Sequence, residues 1–194
     1  MKRTLLAVLL LASVSCGDAV RQGPGSSYLI VNALEAASGA DDGEFGGVLR
    51  SDVLTVIDDV PTIFDDLARV EFQLAMKDPG SAGAPTAPTT NNFITINRYR
   101  VEYIRADGRN TQGVDVPYAF DGAFTVTVGD TAEAGFTLVR HQAKNEAPLA
   151  GLRATPVFIS TIARVTFYGR DQTGREVIVT AQIGVNFGDF ADPD

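Results

Sequence analysis

The sequence predicts an all-β fold, an antiparallel two-sheet sandwich of about eight strands. Apolar and polar residues alternate with a period of two in several runs, and Gly, Pro, Asp and Asn, the residues typical of turns, separate these runs. Long helical patterns do not intervene, so neighbouring strands are expected to pair antiparallel. The apolar faces of these strands need a second layer to cover them, which favours a sandwich, with a closed β-barrel as the alternative.

The N-terminus has the pattern of a secretory signal peptide. Residues 1–3 are basic at two positions, residues 5–14 form an uncharged and largely apolar run, and small residues follow at 13–15. The apolar run is too short to cross a bilayer, which requires about 20 apolar residues. We therefore predict that residues 1–15 are a signal peptide.

Cys16 follows these small residues in an arrangement that resembles a bacterial lipobox, although most lipoboxes carry Leu where this chain has Ser13. In that class of lipoprotein, signal peptidase cuts before the cysteine and the thiol carries a diacylglycerol. The resemblance implies lipidation at Cys16, membrane attachment through that lipid, and a location in the cell envelope. Gly17, rather than Asp, follows the cysteine, which by the same resemblance favours the outer membrane over the inner membrane.

After the signal peptide, we predict a lipidated flexible tether at residues 16–27, rich in Gly and Ser, and a β-sandwich domain at residues 28–194. The first two strands are expected at residues 28–31 and 53–57. Further strands are expected at residues 68–76, 93–105, 124–128, 136–140, 163–168 and 177–187. One helical turn is expected within residues 142–147, before Pro148.

The last predicted strand has the clearest alternation, with an apolar residue at every second position from Val177 to Phe187. The residues predicted to face the core are Val179, Ala181, Ile183 and Val185, and those predicted to face water are Thr180, Gln182 and Asn186. Residues 170–174 have the composition of a turn, so this strand and the one before it should form a hairpin.

This closing hairpin resembles the last two strands of immunoglobulin-like or fibronectin-like sandwiches found in bacterial envelope lipoproteins. The resemblance rests on the strand pattern and implies an immunoglobulin-like sandwich. The Cys–Trp–Cys core of antibody domains is absent, because the chain has no Trp and a single Cys.

Three long loops are expected between the strands, at residues 35–47, 78–91 and 107–121. The first is acidic and Gly-rich, and the second is Pro-rich and predicted to be mobile surface. The third contains apolar side chains and is predicted to pack down on the domain. Because a long loop inside a compact domain is usually either functional or disordered, we predict Val116, Tyr118 and Phe120 as binding residues.

The charge of the chain limits the classes of partner. Lys and Arg number 16 and Asp and Glu number 24, for a net charge of −8, and removal of Lys2 and Arg3 with the signal peptide would bring it to −10. Nucleic-acid binding depends on neutralising phosphates with Lys and Arg, so no nucleic-acid partner is expected. Direct docking onto anionic lipid is also disfavoured, so the lipid on Cys16 should be the only membrane link.

Few residues of this chain suit catalysis or transition-metal binding. His141 is the only histidine, and no G-x-S-x-G sequence is present. His141 is therefore predicted to be a surface or loop-packing residue, and no catalytic residue is assigned. Zinc and copper sites need clusters of His and Cys that one residue of each cannot supply. We predict no cofactor and no metal site.

Calcium needs only oxygen ligands, and several pairs of acidic residues are possible sources. These are Asp41–Asp42, Asp58–Asp59, Asp65–Asp66 and the acidic tail, and none has the spacing of a calcium-binding loop. Two facing carboxylates would also suit a glycosidase.

We therefore predict a non-catalytic, lipid-anchored envelope protein whose β-sandwich is a structural or protein-binding module, with a protein partner in the envelope. A carboxylate-based hydrolase of envelope or extracellular polymers and a calcium- or carbohydrate-binding adhesin are the alternatives.

Overall fold

The structure, a computed structural model, describes residues 25–40, 44–153 and 155–190. The predicted signal peptide, Cys16 and most of the predicted tether lie outside the described residues. The strands are β1 (Ser27–Ala37), β2 (Val48–Asp52), β3 (Thr55–Ile57), β4 (Val60–Thr62), β5 (Asp66–Met76), β6 (Gly80–Ser81), β7 (Ala84–Pro85), β8 (Ile94–Ile104), β9 (Phe120–Gly122), β10 (Val126–Val128), β11 (Thr131–Val139), β12 (Ile159–Asp171) and β13 (Glu176–Gly188).

Helical structure among these residues is limited to short segments. Helix α1 spans His141–Lys144, where one helical turn was expected, and 3₁₀ turns span Thr90–Asn92 and Leu149–Leu152. In the described part of the chain, no helix combines the length and the apolar composition that crossing a bilayer would require.

The strands form two main sheets that face each other, which confirms the predicted two-sheet sandwich; the alternative of a closed barrel is wrong. One sheet has the order β1-β5-β11, and the other has the order β10-β8-β12-β13-β2 with β9 paired to β8. The hairpins β3–β4 and β6–β7 lie outside both sheets. Every strand pairing of the described residues is antiparallel except that of β13 with β2, which is parallel.

Aromatic rings join the two sheets in the interior. Phe72 of β5 meets Phe167 of β12 edge-on, with ring centroids 5.0 Å apart, and Phe136 of β11 meets Phe167 at 5.5 Å. Both Phe72 and Phe167 are fully buried. Edge-to-face contacts of this kind stabilise a core beyond the burial of apolar area alone.

The predicted closing hairpin is confirmed, because β12 and β13 pair from Ile159 opposite Phe187 to Arg170 opposite Glu176. On the inner face of β13, Ile183 and Val185 are buried, whereas Val179 and Ala181 are half-buried and pack against the same core. On the outer face, Thr180 and Gln182 are exposed and Asn186 is half-buried. The faces are therefore those that the alternation predicts.

The predicted start of the strand at residues 53–57 is wrong. Strand β2 ends at Asp52 and β3 begins at Thr55. The Asp52 carboxylate accepts a hydrogen bond from Thr55 Oγ1 at 2.8 Å, and a side chain that bonds its own neighbouring segment in this way interrupts a strand.

Two of the predicted loops also differ from expectation. Strand β1 continues through Ala37 into the loop predicted at residues 35–47, because Glu35 and Ala36 pair with Arg69 and Ala68 of β5. The Pro-rich loop at residues 78–91 is exposed throughout and contains the small β6–β7 hairpin.

Candidate functional site

The three predicted binding residues lie in different surroundings. Val116 and Phe120 are buried, with 1% and 7% of their surface exposed, whereas Tyr118 is 50% exposed. Phe120 packs edge-on against Tyr99 at 6.2 Å and lies 4.4 Å from the guanidinium of Arg140. Val116 and Phe120 therefore pack the second part of the loop on the domain, whereas residues 107–112 are exposed, and of the three predicted residues Tyr118 presents most surface to a partner. A binding role for this loop stays a prediction.

Of the acidic residues considered as calcium ligands, Asp41–Asp42 and the tail beyond residue 190 lie outside the described residues, and the other two pairs have contacts within the domain. Asp58 and Asp59 form the turn of the β3–β4 hairpin, with φ values of 50° and 63°. Asp65 lies beside His141, with Oδ1 2.9 Å from Nδ1 of the ring, and His141 is exposed on the surface. Within residues 25–40, 44–153 and 155–190, the structure contains no group of three or more His, Cys, Asp or Glu side chains able to hold a metal ion.

A surface that the sequence did not reveal is the outer face of the six-stranded sheet. We call the outward-facing residues of β2, β8, β12 and β13 the arginine face. Its basic residues are Arg50, Arg98, Arg100, Arg164 and Arg170, and its acidic residues on the same strands include Glu102 and Glu176. A chain with a net charge of −8 thus collects positive charge on one face.

Several contacts hold these arginines in place. Arg100 forms ion pairs with Glu102 at 3.2 Å and Asp121 at 2.9 Å. The guanidinium of Arg98 stacks 4.2 Å from the ring of Tyr168 on the neighbouring strand. Exposed ion pairs contribute little to stability, so their main effect here is to orient the side chains.

An apolar row crosses the arginine face from β8 to β2, at the level where β8 ends and β2 begins. The strand register aligns Ile104, Ile162, Gly184 and Val48 on four neighbouring strands. Ile162 is 42% exposed and Val48 is 58% exposed. Gly184 leaves a shallow gap between them, because a Cβ there would lie 3.6 Å from the methyl groups of Val48. Contiguous exposed apolar surface of this kind is typical of interaction sites.

A cleft of about 410 Å³ lies on the same face, at the bulge where β12 and β8 lose register. Arg98, Tyr168, Arg170 and Ile178 line it, and Ile178 is 52% exposed. The bulge brings the backbones close together, since a Cβ at Gly169 would collide with the carbonyl oxygen of Thr95. The cleft combines two arginines and Glu176, which lies 3.6 Å from Arg170, with an aromatic ring and an apolar side chain.

The opposite outer face, on the three-stranded sheet, has the reverse charge. Glu35, Glu71 and Glu133 project from β1, β5 and β11, and Arg69 pairs with Glu35 at 2.7 Å. Glu133 lies opposite Glu71, where two negative charges repel. The two outer faces of the sandwich therefore differ in the sign of their charge.

A second feature is a buried ion pair between Asp66, the first residue of β5, and Lys144, the last residue of α1. Their side chains are 0% and 1% exposed, and Lys144 Nζ lies 2.8 Å from Asp66 Oδ1. Ser51 Oγ donates to Oδ2 at 2.6 Å, and the Gly39 N–H donates to Oδ1 at 3.0 Å. Burial raises the pKa of Asp66 above its ordinary value, although Lys144 and the hydrogen bonds oppose that shift.

The alternation of β5 could have indicated that Asp66 is buried. Asp66 is in phase with the buried residues Ala68, Val70 and Phe72, so the same pattern places it inside. Asp66 is therefore enclosed, whereas its neighbour Asp65 is exposed. Nothing local identifies Lys144, because its burial depends on a contact across the fold.

Asp52 is a second carboxylate with little exposure. It accepts hydrogen bonds from Thr55 Oγ1 and the backbone N–H of Phe190, and burial raises its pKa. Neither Asp52 nor Asp66 lines the cleft described above or a second cleft of about 570 Å³ that includes Phe45, Val48 and Arg50. These two acids are enclosed and do not face a polymer-binding groove, so nothing in their geometry favours the hydrolase alternative.

Comparisons with known proteins add little to this description. No protein-family model and no curated protein sequence matches the chain. The X-ray structure of Northeast Structural Genomics Consortium target SoR45 is similar over 84% of this chain and 86% of that one, with 11% identity and a TM-score of 0.32. A similarity this distant supports no argument about function.

Proposed function

We propose that this chain is a non-catalytic, lipid-anchored envelope protein whose β-sandwich binds a protein partner through the arginine face. The observation that supports this most directly is the exposed apolar row of Ile162 and Val48 beside Arg50 and Arg164. Arg is enriched among the residues that dominate binding free energy, and the buried core of an interface is more apolar than its rim.

The chemistry of the face defines the partner. The row crosses three strand spacings, about 14 Å, a width that suits a protein segment better than a small molecule. The surrounding arginines attract carboxylates, whereas the acidic face on the other side of the sandwich repels them. The partner is therefore an envelope protein that presents apolar side chains flanked by Asp or Glu.

The anchor in this proposal rests on the N-terminal sequence. The basic start, the short apolar run and Cys16 are the features of a lipoprotein signal, and a lipid on Cys16 would place the sandwich at the membrane surface, with the outer membrane favoured. Stable attachment requires more than one acyl chain, which the lipoproteins that this segment resembles possess.

Site-specific photo-cross-linking in native membranes tests the binding face. A photo-reactive residue at Ile162 should capture one reproducible protein partner with an acidic, apolar contact segment. The matched position is Leu67, which is 50% exposed on the outer face of the three-stranded sheet. Capture of the same proteins from both positions, or of none from Ile162, would contradict the proposal.

Charge reversal provides the second arm of this test. Arg164→Glu places a negative charge beside the apolar row and should reduce recovery of the Ile162 adduct at least tenfold, since like charges at an interface cost several kcal/mol. Glu133→Arg, on the opposite face, should leave recovery unchanged.

The anchor is tested by Cys16→Ser. This variant should be released from membranes or remain unprocessed, as measured by membrane fractionation and the mass of the N-terminal peptide. Fractionation of the Ser variant with membranes, as for the parent, would refute the lipid anchor without affecting the binding face.

A further inference from the structure

The buried pair of Asp66 and Lys144 is unusual in both position and chemistry. The two residues are 78 positions apart in the chain, yet Nζ and Oδ1 are separated by 2.8 Å with both side chains enclosed. Lys is among the residues least often fully buried. Without the predicted signal peptide, the chain has two lysines, Lys77 and Lys144. The side chain of Lys144 is 1% exposed.

The surroundings of the pair disfavour its charged form. Removing an ammonium and a carboxylate from water costs several kcal/mol for each ion, which their attraction offsets only in part. Transfer of one proton from Lys144 to Asp66 gives a neutral amine beside a neutral carboxylic acid. A neutral amine is a nucleophile, and a carboxylic acid has a better leaving group than a carboxylate.

Hydrogen bonds prepare the carboxyl group for attack. The Gly39 N–H donates to Oδ1, where negative charge would develop as a nucleophile adds to Cγ. The Ser51 hydroxyl donates to Oδ2 at 2.6 Å and can pass a proton to that oxygen. The backbone of Gly39 lies close to that of Asp65, since a Cβ on Gly39 would collide with the carbonyl oxygen of Asp65.

We propose that Lys144 and Asp66 condense to form an intramolecular isopeptide bond. Lys144 Nζ adds to Asp66 Cγ, forming a C–N bond, and the bond from Cγ to Oδ2 breaks. Of the three ammonium protons, two move to Oδ2, which leaves as water, and the third stays on the amide nitrogen. The step releases one water molecule and needs no oxidant, reductant or activated co-reactant.

The site of the bond suits a domain that lacks disulfides. An exported protein is normally free to use disulfide bonds, but a chain with a single Cys cannot form one internally. Asp66 opens β5 and lies opposite Val139 at the end of β11, and Lys144 follows on α1. The amide would join the start of the central strand of this sheet to the segment that follows its neighbour.

Peptide mapping of the full chain tests the bond without any substitution. Trypsin cuts after Lys and Arg, so an unlinked chain yields separate peptides 51–69 and 141–144. An amide at Lys144 blocks cleavage there, so the linked chain yields one branched species of 51–69 joined to 141–153, lighter by one water than its two parts. Fragmentation should place the link at Asp66 and not at the neighbouring Asp65.

Amine labelling of the denatured full chain provides an independent measurement. In concentrated guanidinium, an ion pair separates and both Lys77 and Lys144 react with an amine reagent. An amide leaves Lys144 unreactive while Lys77, the control within the same molecule, is labelled. Complete labelling of Lys144 together with recovery of peptide 141–144 would overturn the proposal and leave an ordinary buried ion pair.

Substitution provides a chemical signature. Lys144→Met should abolish the branched peptide, and so should Asp66→Asn, because an amide side chain cannot accept the proton whose transfer makes the Lys144 amine a nucleophile. Since the wild-type measurements decide the question, failure of either variant to fold does not rescue the proposal.

Discussion

The interior of this sandwich has two regions that achieve burial by different means. Around Phe72 and Phe167 the two sheets meet through aromatic rings, whose burial is driven by removal of apolar surface from water. Around Asp66, Lys144 and Ser51, equally buried side chains are charged or polar, and each depends on its hydrogen bonds. In the aromatic region, the free energy of unfolding should fall when side-chain volume is removed. In the polar region, it should fall when one partner of a buried pair is removed.

The largest expected effect comes from placing a charge where the interior has none to pair with it. Ile183→Lys buries an ammonium group in an apolar position and should lower the free energy of unfolding by up to about 5 kcal/mol. Gln182→Lys, one residue away on the exposed face, should change it by less than about 0.5 kcal/mol. Urea unfolding measures both, and equal destabilisation would mean that the two faces of β13 are not distinguished.

Removal of volume from the aromatic region should have the next largest effect. Phe72→Ala deletes a fully buried ring that contacts Phe167 and should lower the free energy of unfolding by about 4 kcal/mol through lost burial and the cavity left behind. The measurement is again urea unfolding, with the half-buried neighbour Gln73→Ala, on the other face of β5, as the control. A loss below about 1 kcal/mol would indicate that the sheets repack around the gap.

Removal of one partner from the polar region should cost somewhat less. Lys144→Met leaves the Asp66 carboxyl buried beside an apolar side chain and should lower the free energy of unfolding by about 3 kcal/mol, to which loss of a covalent link would add. The double variant Asp66→Leu with Lys144→Met removes both charges and should recover much of this loss. If the double variant is as unstable as the sum of the two single variants, the pair is not coupled.

A smaller effect should appear in the pH dependence of stability. Burial raises the pKa of Asp52 above its ordinary value of 3.8. The stability contributed by the protonated carboxyl is therefore present below that value and lost as the pH rises through the folded-state pKa. Asp52→Asn removes this titration, so its free energy of unfolding relative to the parent should increase from about pH 3 to about pH 7.

Asp107 supplies a control of opposite sign for that experiment. The guanidinium groups of Arg105 and Arg109 hold the pKa of Asp107 well below its usual range. Its contribution to stability is therefore present above the ordinary pKa and lost as the pH falls, so Asp107→Asn should lose stability relative to the parent as the pH rises. If the free energy of unfolding relative to the parent changes with pH in the same direction for both variants, the predicted opposite shifts of the two carboxylates are wrong.

The elements predicted correctly are those with a long period-two pattern or, for the strand at residues 93–105, a long run of residues that favour strands. The strand containing Val70 and Phe72, the strand containing Tyr99 and Tyr103, and the closing hairpin all occur, with these side chains buried. The failures occur where the pattern is short or a polar side chain bonds its own backbone, as at Asp52 and Thr55. A period of two records which face is buried but contains no signal for such local competition.

The candidate sites were less accessible from the sequence. The sequence places apolar residues in the loop at 107–121, but apolar side chains in a loop can face either the core or a partner, and Val116 and Phe120 face the core. The arginine face was missed because its members lie on separate strands. Arg98 and Arg164 are distant in sequence and become neighbours in one face only through the pairing of β8 with β12.

The amino-acid sequence alone determined the strand-rich fold class and the two faces of the closing hairpin, because side chains alternate along any extended chain whatever its partner. It also determined which chemistry the composition excludes, since one His and one Cys cannot form a transition-metal cluster. Only the tertiary structure decided the parallel contact of β2 with β13, the arginine face, and the meeting of Asp66 with Lys144. Each of these depends on strand order and register across distant segments, which are set by the packing of the whole domain and not by any local pattern.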